Sequence, residues 1–395
     1  MATAILDIDV ERIPTEVAGL SAYGQALVLL RLRGRPVGQV RVPVVHGCVR
    51  GSELREAIIE KVGWHIWKRW LHDWLDWDEE ALATTAVPRA TVAVCTRDRP
   101  DDLRRCLTAL SGMPNDAQEL LVVDNCPSSD ASHRVTQTFP GVRYVREDVP
   151  GLDCARNRAI REASQEVVAF IDDDAMPDPG WLRALLRNFD DPLVACVTGL
   201  TMPFELETDA QQMHERLSPF GRGYERKVFD AISLNPTAFG KVGAGVNMAL
   251  RRSSVLELGP FDEALDAGTA TYSGGDTEMF ARIMNRGYRI VYEPGALCWH
   301  RHRRTWKELR RMIYGYGAGV YAAWTSLFVS ERQITMLKPA IIWFFRYQLP
   351  ALFRSMRSWH RNAPLDLAIA ELCGCMAGPW LYFSSRRRRA KGARS

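Results

Sequence analysis

Three consecutive carboxylates, Asp172, Asp173 and Asp174, follow an apolar run over residues 166–171. Neighbouring carboxylates repel one another, so the arrangement costs free energy unless a cation or hydrogen-bond donors compensate. If strand geometry continues, Asp172 and Asp174 share a side. Oxygen ligands suit Mg2+ or Mn2+, which commonly keep ligand positions for phosphate oxygens and water. The ordinary alternative is a helix N-cap with a solvated loop, and Met176-Pro-Asp-Pro-Gly-Trp181 does read as a turn into a helix.

A second group is Thr271-Tyr-Ser-Gly-Gly-Asp-Thr-Glu-Met-Phe280. Its paired glycines allow a ligand to approach the backbone closely. Asp276 then opens a helix whose Met279, Phe280 and Ile283 face inward. A carboxylate at a helix start is, in the ordinary case, only an N-cap. A third group is Trp299-His-Arg-His302, after the strand-like residues 289–292. His300 becomes a ligand candidate only if the fold brings it beside Asp174.

These groups need a scaffold. Residues 90–95, 119–124, 142–145 and 166–171 read as strands, and residues 101–110 and 153–163 as helices. Strands alternating with helices predict a parallel sheet covered on both faces. Ligands bind such sheets at the C-terminal strand ends, where Thr96, Asp124 and Asp172 fall. Before this region, residues 1–50 read as a small β unit with a turn at Gly34-Arg-Pro36. Ser52 is placed to cap a helix from Glu53. Trp64, Trp67, Trp70, Trp74 and Trp77 lie on one broad helical face. A core-facing stripe is the expectation, and a membrane or partner surface the sharper alternative. Residues 84–89 read as a linker, residues 204–239 as mostly loop, and residues 307–329 as helix. Two apolar or amphipathic patches follow, over 341–353 and 365–383, and then Arg386-Arg-Arg-Arg389. That basic run suits an anionic membrane surface or a solvated, disordered tail.

The 395 residues are 47% hydrophobic and 25% charged. This excludes collagen-like, intrinsically disordered and polytopic membrane chains. A net charge of +4 does not predict a general nucleic-acid binder. Nine cysteines without a repeated zinc spacing predict reduced thiols in a cytoplasmic protein. The first ten residues carry no secretory signal pattern, and the apolar run over 372–383 is shorter than the about 20 residues that span a bilayer.

From Ala90 to about His302 the chain resembles family 2 glycosyltransferases of the GT-A fold. Cys95-Thr-Arg-Asp-Arg99 and Val122-Val-Asp-Asn125 are similar to the first two nucleotide-contacting loops. Gly151-Leu-Asp-Cys-Ala-Arg-Asn157 is similar to the segment that closes over the nucleotide. Phe170-Ile-Asp-Asp-Asp174 looks like the DxD motif, and Lys241-Val-Gly-Ala-Gly-Val-Asn-Met-Ala249 like the glycine-rich loop between donor and acceptor. Gly275-Asp276 falls on the ED pair and His300 on the C-terminal histidine. The first acid of that pair is replaced by Gly275, which puts its role in doubt.

The resemblance implies an α/β GT-A nucleotide-diphospho-sugar transferase domain over 89–306, a Rossmann-like mixed sheet with helices on both faces. A small β/α extension (1–88) precedes it, and a helical extension with a basic tail (307–395) follows. The implied reaction is inverting transfer of a hexosyltransferase type, from a nucleotide-diphospho-sugar to an acceptor hydroxyl. Asp276 would be the general base. Thr96, Arg97, Asp98, Asp124, Arg156, Asn157, Asp172, Asp173, Gly245 and Asn247 would hold the donor, with Asp172 or Asp173 alternatively on the ribose. Mn2+ or Mg2+ would be held by Asp172, Asp174 and His300. The acceptor is left open among a sugar, a lipid-linked intermediate and a small molecule, and no nucleic acid is expected. The location implied is cytoplasmic, with peripheral contact at the inner face of the plasma membrane. The rivals are a catalytically degenerate nucleotide-binding scaffold and a sugar-phosphate nucleotidylyltransferase. The latter carries a glycine-rich signature that Cys95-Thr-Arg-Asp-Arg-Pro100 lacks.

Overall fold

A computed structural model describes residues 2–75, 88–234, 239–332, 338–357 and 363–392. The expected linker over 84–89 lies mostly outside them, as does Trp77. The N-terminal unit contains β1 (Thr3–Asp9), β2 (Glu16–Val17), β3 (Gln25–Leu32), β4 (Arg35–Pro43), β5 (Val49–Arg50) and α1 (Gly51–Trp74). β1 pairs with β3 in parallel, and β3 with β4 antiparallel through the Arg33-Gly34 turn. Leu54, Ile58 and Val62 of α1 recur every four residues and pack on this sheet with Val28, Leu30 and Val40.

The main body is built from β6 (Ala90–Thr96), α2 (Pro100–Ser111), β7 (Glu119–Asn125), α3 (Ala131–Gln137), β8 (Val142–Glu147), α4 (Leu152–Glu162), β9 (Val167–Asp172), β10 (Ala175–Pro177), α5 (Trp181–Leu186), β11 (Val194–Pro203), α6 (Asp209–Leu217), β12 (Lys227–Phe229), β13 (Asn247–Arg251), α7 (Arg252–Leu258), α8 (Gly275–Asn285) and β14 (Arg289–His300). Among the described residues these strands form one nine-stranded sheet in the order β10-β14-β11-β13-β9-β6-β7-β8, with β12 on β14. β6 to β9 pair in parallel, while β13 runs antiparallel to both β9 and β11. Alternate residues of β6 serve opposite layers. Val92 and Val94 join Leu103, Leu107 and Leu110 of α2. Ala93 joins Ala155, Ala159 and Ile160 of α4 and Phe280 and Ile283 of α8. A mixed sheet with helices on both faces is the expected GT-A class. Asp209–Leu217 is helical where loop was expected, because Thr208 and Gln211 form a capping box that starts α6.

Leu27 and Leu29 of β3 pack against Leu200, Met202 and Tyr292 of the main body. Thr3 N also donates to Leu206 O at 2.8 Å, and Arg31 pairs with Asp178 at 2.6 Å.

The C-terminal region is α9 (Trp306–Glu331), α10 (Lys338–Trp343), a π-helical turn (Phe344–Gln348), α11 (Leu349–Arg357) and α12 (Leu365–Gly392). α12 runs through Pro379 and packs along α9, where Gly317 and Gly374 let the two backbones approach. By length and composition alone, its Leu365–Ala390 stretch could cross a membrane; 39% of the most apolar window is buried inside the protein. Arg386 to Arg389 continue this helix, which corrects the disordered-tail alternative. All nine cysteines are free.

The core-facing expectation for the tryptophans is corrected. Trp64, Trp67, Trp70 and Trp74 are 67%, 49%, 42% and 67% exposed. Leu54, Ile58 and Val62 take the core face, and the tryptophans stack on each other instead, Trp64 on Trp67 with ring centroids 5.0 Å apart. The helix also begins at Gly51 without a side-chain cap from Ser52.

Candidate active site

β9 stops at Asp172, and a turn carries Asp173 and Asp174, so strand alternation is not what pairs the acids. Asp173 is held by donors from the end of β6. Thr96 Oγ1 donates to its Oδ2 at 2.7 Å and Arg99 Nη1 to its Oδ1 at 3.2 Å. Arg99 also reaches Asp174 Oδ2 at 3.1 Å, and Arg303 lies 3.6 Å from the same oxygen. β10 pairs antiparallel with the end of β14, register Ala175 to His300, which sets His300 beside Asp174. His300 Nε2 is 3.2 Å from Asp174 Oδ1. Burial first, and then the Asp174 charge, push Asp172 up to about 6 and Asp173 up to about 7. Burial also opposes the charge on Asp174, but His300, Arg303 and Arg99 outweigh it and hold this carboxyl below its ordinary range.

Behind His300 lies a buried chain that sequence reasoning missed, although His302 was in view. His300 Nδ1 and His302 Nδ1 are 3.1 Å apart, and His302 Nε2 is 3.1 Å from Glu215 Oε2 on α6. Burial pushes His302 down to about 3, so the ring is neutral. Burial likewise pushes the Glu215 carboxyl up to about 7. The chain backs the His300 ring where it faces the Asp174 carboxylate. Asp174 and His300, with the adjacent Asp172, are the residues that could hold a divalent metal, whose remaining ligands would come from substrate and water. Among the described residues no group of three or more His, Cys, Asp and Glu side chains is gathered so that it could hold a metal ion by itself.

Asp276 faces this acidic corner across a cavity of about 930 Å³ that both line. It occupies the first turn of α8, where a negative charge is favoured. Gly245 N donates to its Oδ2 at 2.7 Å, and Thr277 N to its Oδ1 at 2.7 Å. Gly245 is required here, because a methyl would lie 2.8 Å from Arg156 Nη2 and 3.0 Å from Asp276 Oδ2. Arg156 is 4% exposed, and its Nη1 donates to Asp153 Oδ1 at 3.0 Å and Asp266 Oδ2 at 2.8 Å. Neither Asp153 nor Asp266 was singled out from the sequence; the one acid within Gly151-Leu-Asp-Cys-Ala-Arg-Asn157 was the available signal for Asp153.

Of the expected donor residues, Thr96, Arg97, Arg156, Asp172, Asp173 and Gly245 line the cavity. Asp98, Asp124, Asn157 and Asn247 do not. Asp98 receives the amide and hydroxyl of Ser128, both at 2.8 Å. Asp124 is fully buried; Tyr144 donates to its Oδ2 at 2.9 Å, and its Oδ1 has no partner among the described residues. Asn157 Nδ2 donates to Phe261 O at 3.0 Å and its Oδ1 accepts from Phe261 N, tying α4 to the loop before α8. Asn247 accepts from Trp181 Nε1 at 2.8 Å and donates to Leu200 O and Ala296 O. Both asparagines are thus committed to architecture. Asn125, next to Asp124, does line the cavity and was not assigned. Its amide holds the loop ahead of α4, donating to Val149 O and accepting from Gly151 N, both at 2.8 Å. Arg389 Nη2 at the end of α12 donates to Pro150 O in that same loop at 2.5 Å.

The far wall of the cavity comes from the C-terminal helices, through Tyr316, Val320, Arg354, Leu367 and Cys375. Nothing in the motifs pointed to this wall.

Residues 91–259 match the model of glycosyl transferase family 2. This stretch is a family 2 glycosyltransferase domain. The pre-mycofactocin glycosyltransferase of Mycobacterium tuberculosis is 29% identical over 263 residues, covering 61% of this chain and 51% of that protein. The chain thus spans about half the length of these mycobacterial relatives. Glycosyltransferase AglE of Haloferax volcanii is 25% identical over 264 residues, covering 64% and 80%. Among solved structures, the mannosyltransferase PcManGT of Pyrobaculum calidifontis, in complex with GDP-Man and Mn2+, is 18% identical, with 79% of this chain and 76% of that one covered at a TM-score of 0.45. The family 2 stretch contains the acidic turn and the glycine-rich loop. Asp276 and His300 lie beyond it and reach the site through α8 and β14.

Proposed function

We propose that the protein is a metal-dependent, inverting glycosyltransferase of hexosyltransferase type, using a nucleotide-diphospho-sugar. The observation that carries this reading is the placement of Asp276 and the Asp172–Asp174–His300 corner on one cavity. Asp174 and His300, with Asp172, would hold Mn2+ or Mg2+. Bound there, the metal would offset the charge that develops on the departing diphosphate. Arg99 and Arg303 bring further positive charge to the same corner. Thr96 and Arg97 line the donor side, and Asp124, whose Oδ1 has no partner among the described residues, carries an acceptor of the kind a base N–H needs. Asp276, its carboxylate oriented by the Gly245 and Thr277 amides, takes the proton of the acceptor hydroxyl as that oxygen attacks the anomeric carbon. Attack from the face opposite the leaving diphosphate inverts the configuration.

The acceptor enters beneath α9, α11 and α12. That wall suits an acceptor with an apolar portion, among which we place a lipid-linked intermediate ahead of a free sugar or small molecule. Exposed Ile341, Ile342, Phe345, Phe353 and Trp380 on the C-terminal helices, with Arg386, Arg387 and Arg388 exposed further along α12, support peripheral contact with the inner face of the plasma membrane from a cytoplasmic location.

A thermal-shift panel of UDP-, GDP- and dTDP-sugars, each with Mn2+ and with EDTA, tests the donor reading. Binding to the folded state raises Tm by mass action. Metal-dependent stabilisation by one nucleotide class is expected. No shift with any donor, metal present, sinks it and favours the degenerate scaffold.

A further inference from the structure

Position 275 has no side chain, and a methyl built there would overlap the Asp153 carboxylate. Gly275 opens α8 and Asp153 stands in the first turn of α4. The two helix starts therefore meet, and a carboxylate from α4 fills the space into which a side chain at 275 would point.

Asp153 is 0% exposed. Its Oδ1 accepts from Arg156 at 3.0 Å, while its Oδ2 has no partner among the described residues. A buried carboxylate left half satisfied is costly where architecture alone is at stake, because an apolar side chain of similar size would pack there without that cost. What the carboxylate does accomplish is to hold Arg156. Asp153 and Asp266 clamp one guanidinium nitrogen, Nη1. The other, Nη2, is thereby set beside Gly245, whose amide orients Asp276.

We propose that Asp153 is a positioning residue of the transfer site: its carboxylate takes the place of the side chain missing at position 275 and fixes Arg156 against the Gly245–Asp276 pair. Burial and Asp266 raise its carboxyl well above the ordinary range, and the Arg156 contact opposes them. The proposal rests on the reading of Asp276 as the base.

The consequence is a relocatable acid. Position 275 is helical, without the left-handed φ that would exclude a side chain. An aspartate there should be harmful while Asp153 is present and helpful once Asp153 is shortened. The experiment compares wild type, Asp153→Ala, Gly275→Asp and the double variant, in kcat, donor KM and Tm. Asp153→Ala is expected to lower kcat at least about 10-fold with donor KM within about 3-fold of wild type. Gly275→Asp alone should lower both kcat and Tm. The double variant should exceed Asp153→Ala in kcat by at least about 3-fold and Gly275→Asp in Tm, a coupling of opposite sign in the two backgrounds. A double variant no better than the worse single variant overturns the proposal, as does a Gly275→Asp protein equal to wild type.

Where Asp153→Ala fails to fold, Asp153→Ser, also shorter than aspartate, serves as the background, with the same sign reversal expected. Transfer retained by Asp276→Asn would remove the base reading and leave this cycle standing. If the wild type transfers no sugar, the Tm cycle decides: Gly275→Asp lowering Tm equally in both backgrounds overturns the proposal.

Discussion

The backbone amide of Gly245 points at Asp276, 2.7 Å from Oδ2, while the amide of Thr277 takes Oδ1 at the same distance. The carboxylate is thus held at both oxygens by main-chain donors that cannot take its place as a base. Asp276→Asn preserves size and one acceptor but removes the charge. Transfer should fall by about 10²–10⁴-fold, with the Kd of the nucleotide-sugar near that of wild type. Isothermal titration of the donor alongside a transfer assay separates the two effects. An Asp276→Asn protein with normal turnover would remove Asp276 from the base role.

Metal removal is the second test. EDTA should stop turnover, and Mn2+ or Mg2+ should restore it. Asp174→Asn and His300→Ala should each weaken Mn2+ binding, followed by electron paramagnetic resonance of the free ion. Loss of a ligand's orienting partner typically costs about 10–100-fold in metal affinity, so His302→Phe should act in the same direction through His300. Full activity in chelator would assign the diphosphate charge to Arg99 and Arg303 instead.

Asn247 offers a contrast between architecture and chemistry. Asn247→Ala strands the Trp181 indole N–H and the carbonyls of Leu200 and Ala296 in the core. At roughly 1–3 kcal/mol for each unsatisfied buried group, the protein should lose on the order of 3 kcal/mol in urea unfolding. Donor affinity of the folded fraction should stay constant. A large loss of affinity at unchanged stability would return Asn247 to the donor site.

Glu119 gives a pH test well away from the cavity. Burial raises its carboxyl, but hydrogen bonds from Thr91 and Ser164, with Arg143 beside them, outweigh burial and bring it down to about 2 from an ordinary 4.5. A depressed carboxyl contributes stability that is complete above the unfolded value and is lost as pH falls from about 4.5 toward 2. The Tm gap between wild type and Glu119→Gln should be widest near neutral pH and close in acid. A gap that grows on acidification contradicts this.

Vesicle flotation addresses the membrane reading. Binding to vesicles containing anionic lipid should exceed binding to neutral ones and weaken with salt. Arg387→Ser with Arg388→Ser should reduce it, and Trp380→Ala should reduce it further. Wild-type protein that floats with neither vesicle type overturns the contact.

The sheet was legible because β6, β7 and β9 are buried on both faces and read as short apolar runs ended by polar residues. The same ends announced Thr96 and Asp172. What escaped reading was held in contacts without a local pattern. His302 and Glu215 meet across 87 positions, and Asp266 reaches Arg156 across 110. The tryptophans misled for a geometric reason. A 24-residue helix is about 36 Å long at 1.5 Å per residue, so its second half outruns the sheet that buries Leu54, Ile58 and Val62. Periodicity identifies the face of a helix and not where its partner stops. Gly275 was noticed as a missing acid, yet the carboxylate that fills its place is supplied by another helix, which no reading along the chain can pair with it.

The hydrogen bond from Arg389 to Pro150 joins residues 239 positions apart. During synthesis the loop ahead of α4 therefore emerges, and its strands can pair, long before its last partner exists. Closing so long a loop carries an entropic cost that contacts already formed do not repay. The rim of the cavity is then among the final parts of the molecule to set. A chain interrupted before residue 389 would carry the acids and arginines of the site and still lack the tie that steadies their entrance.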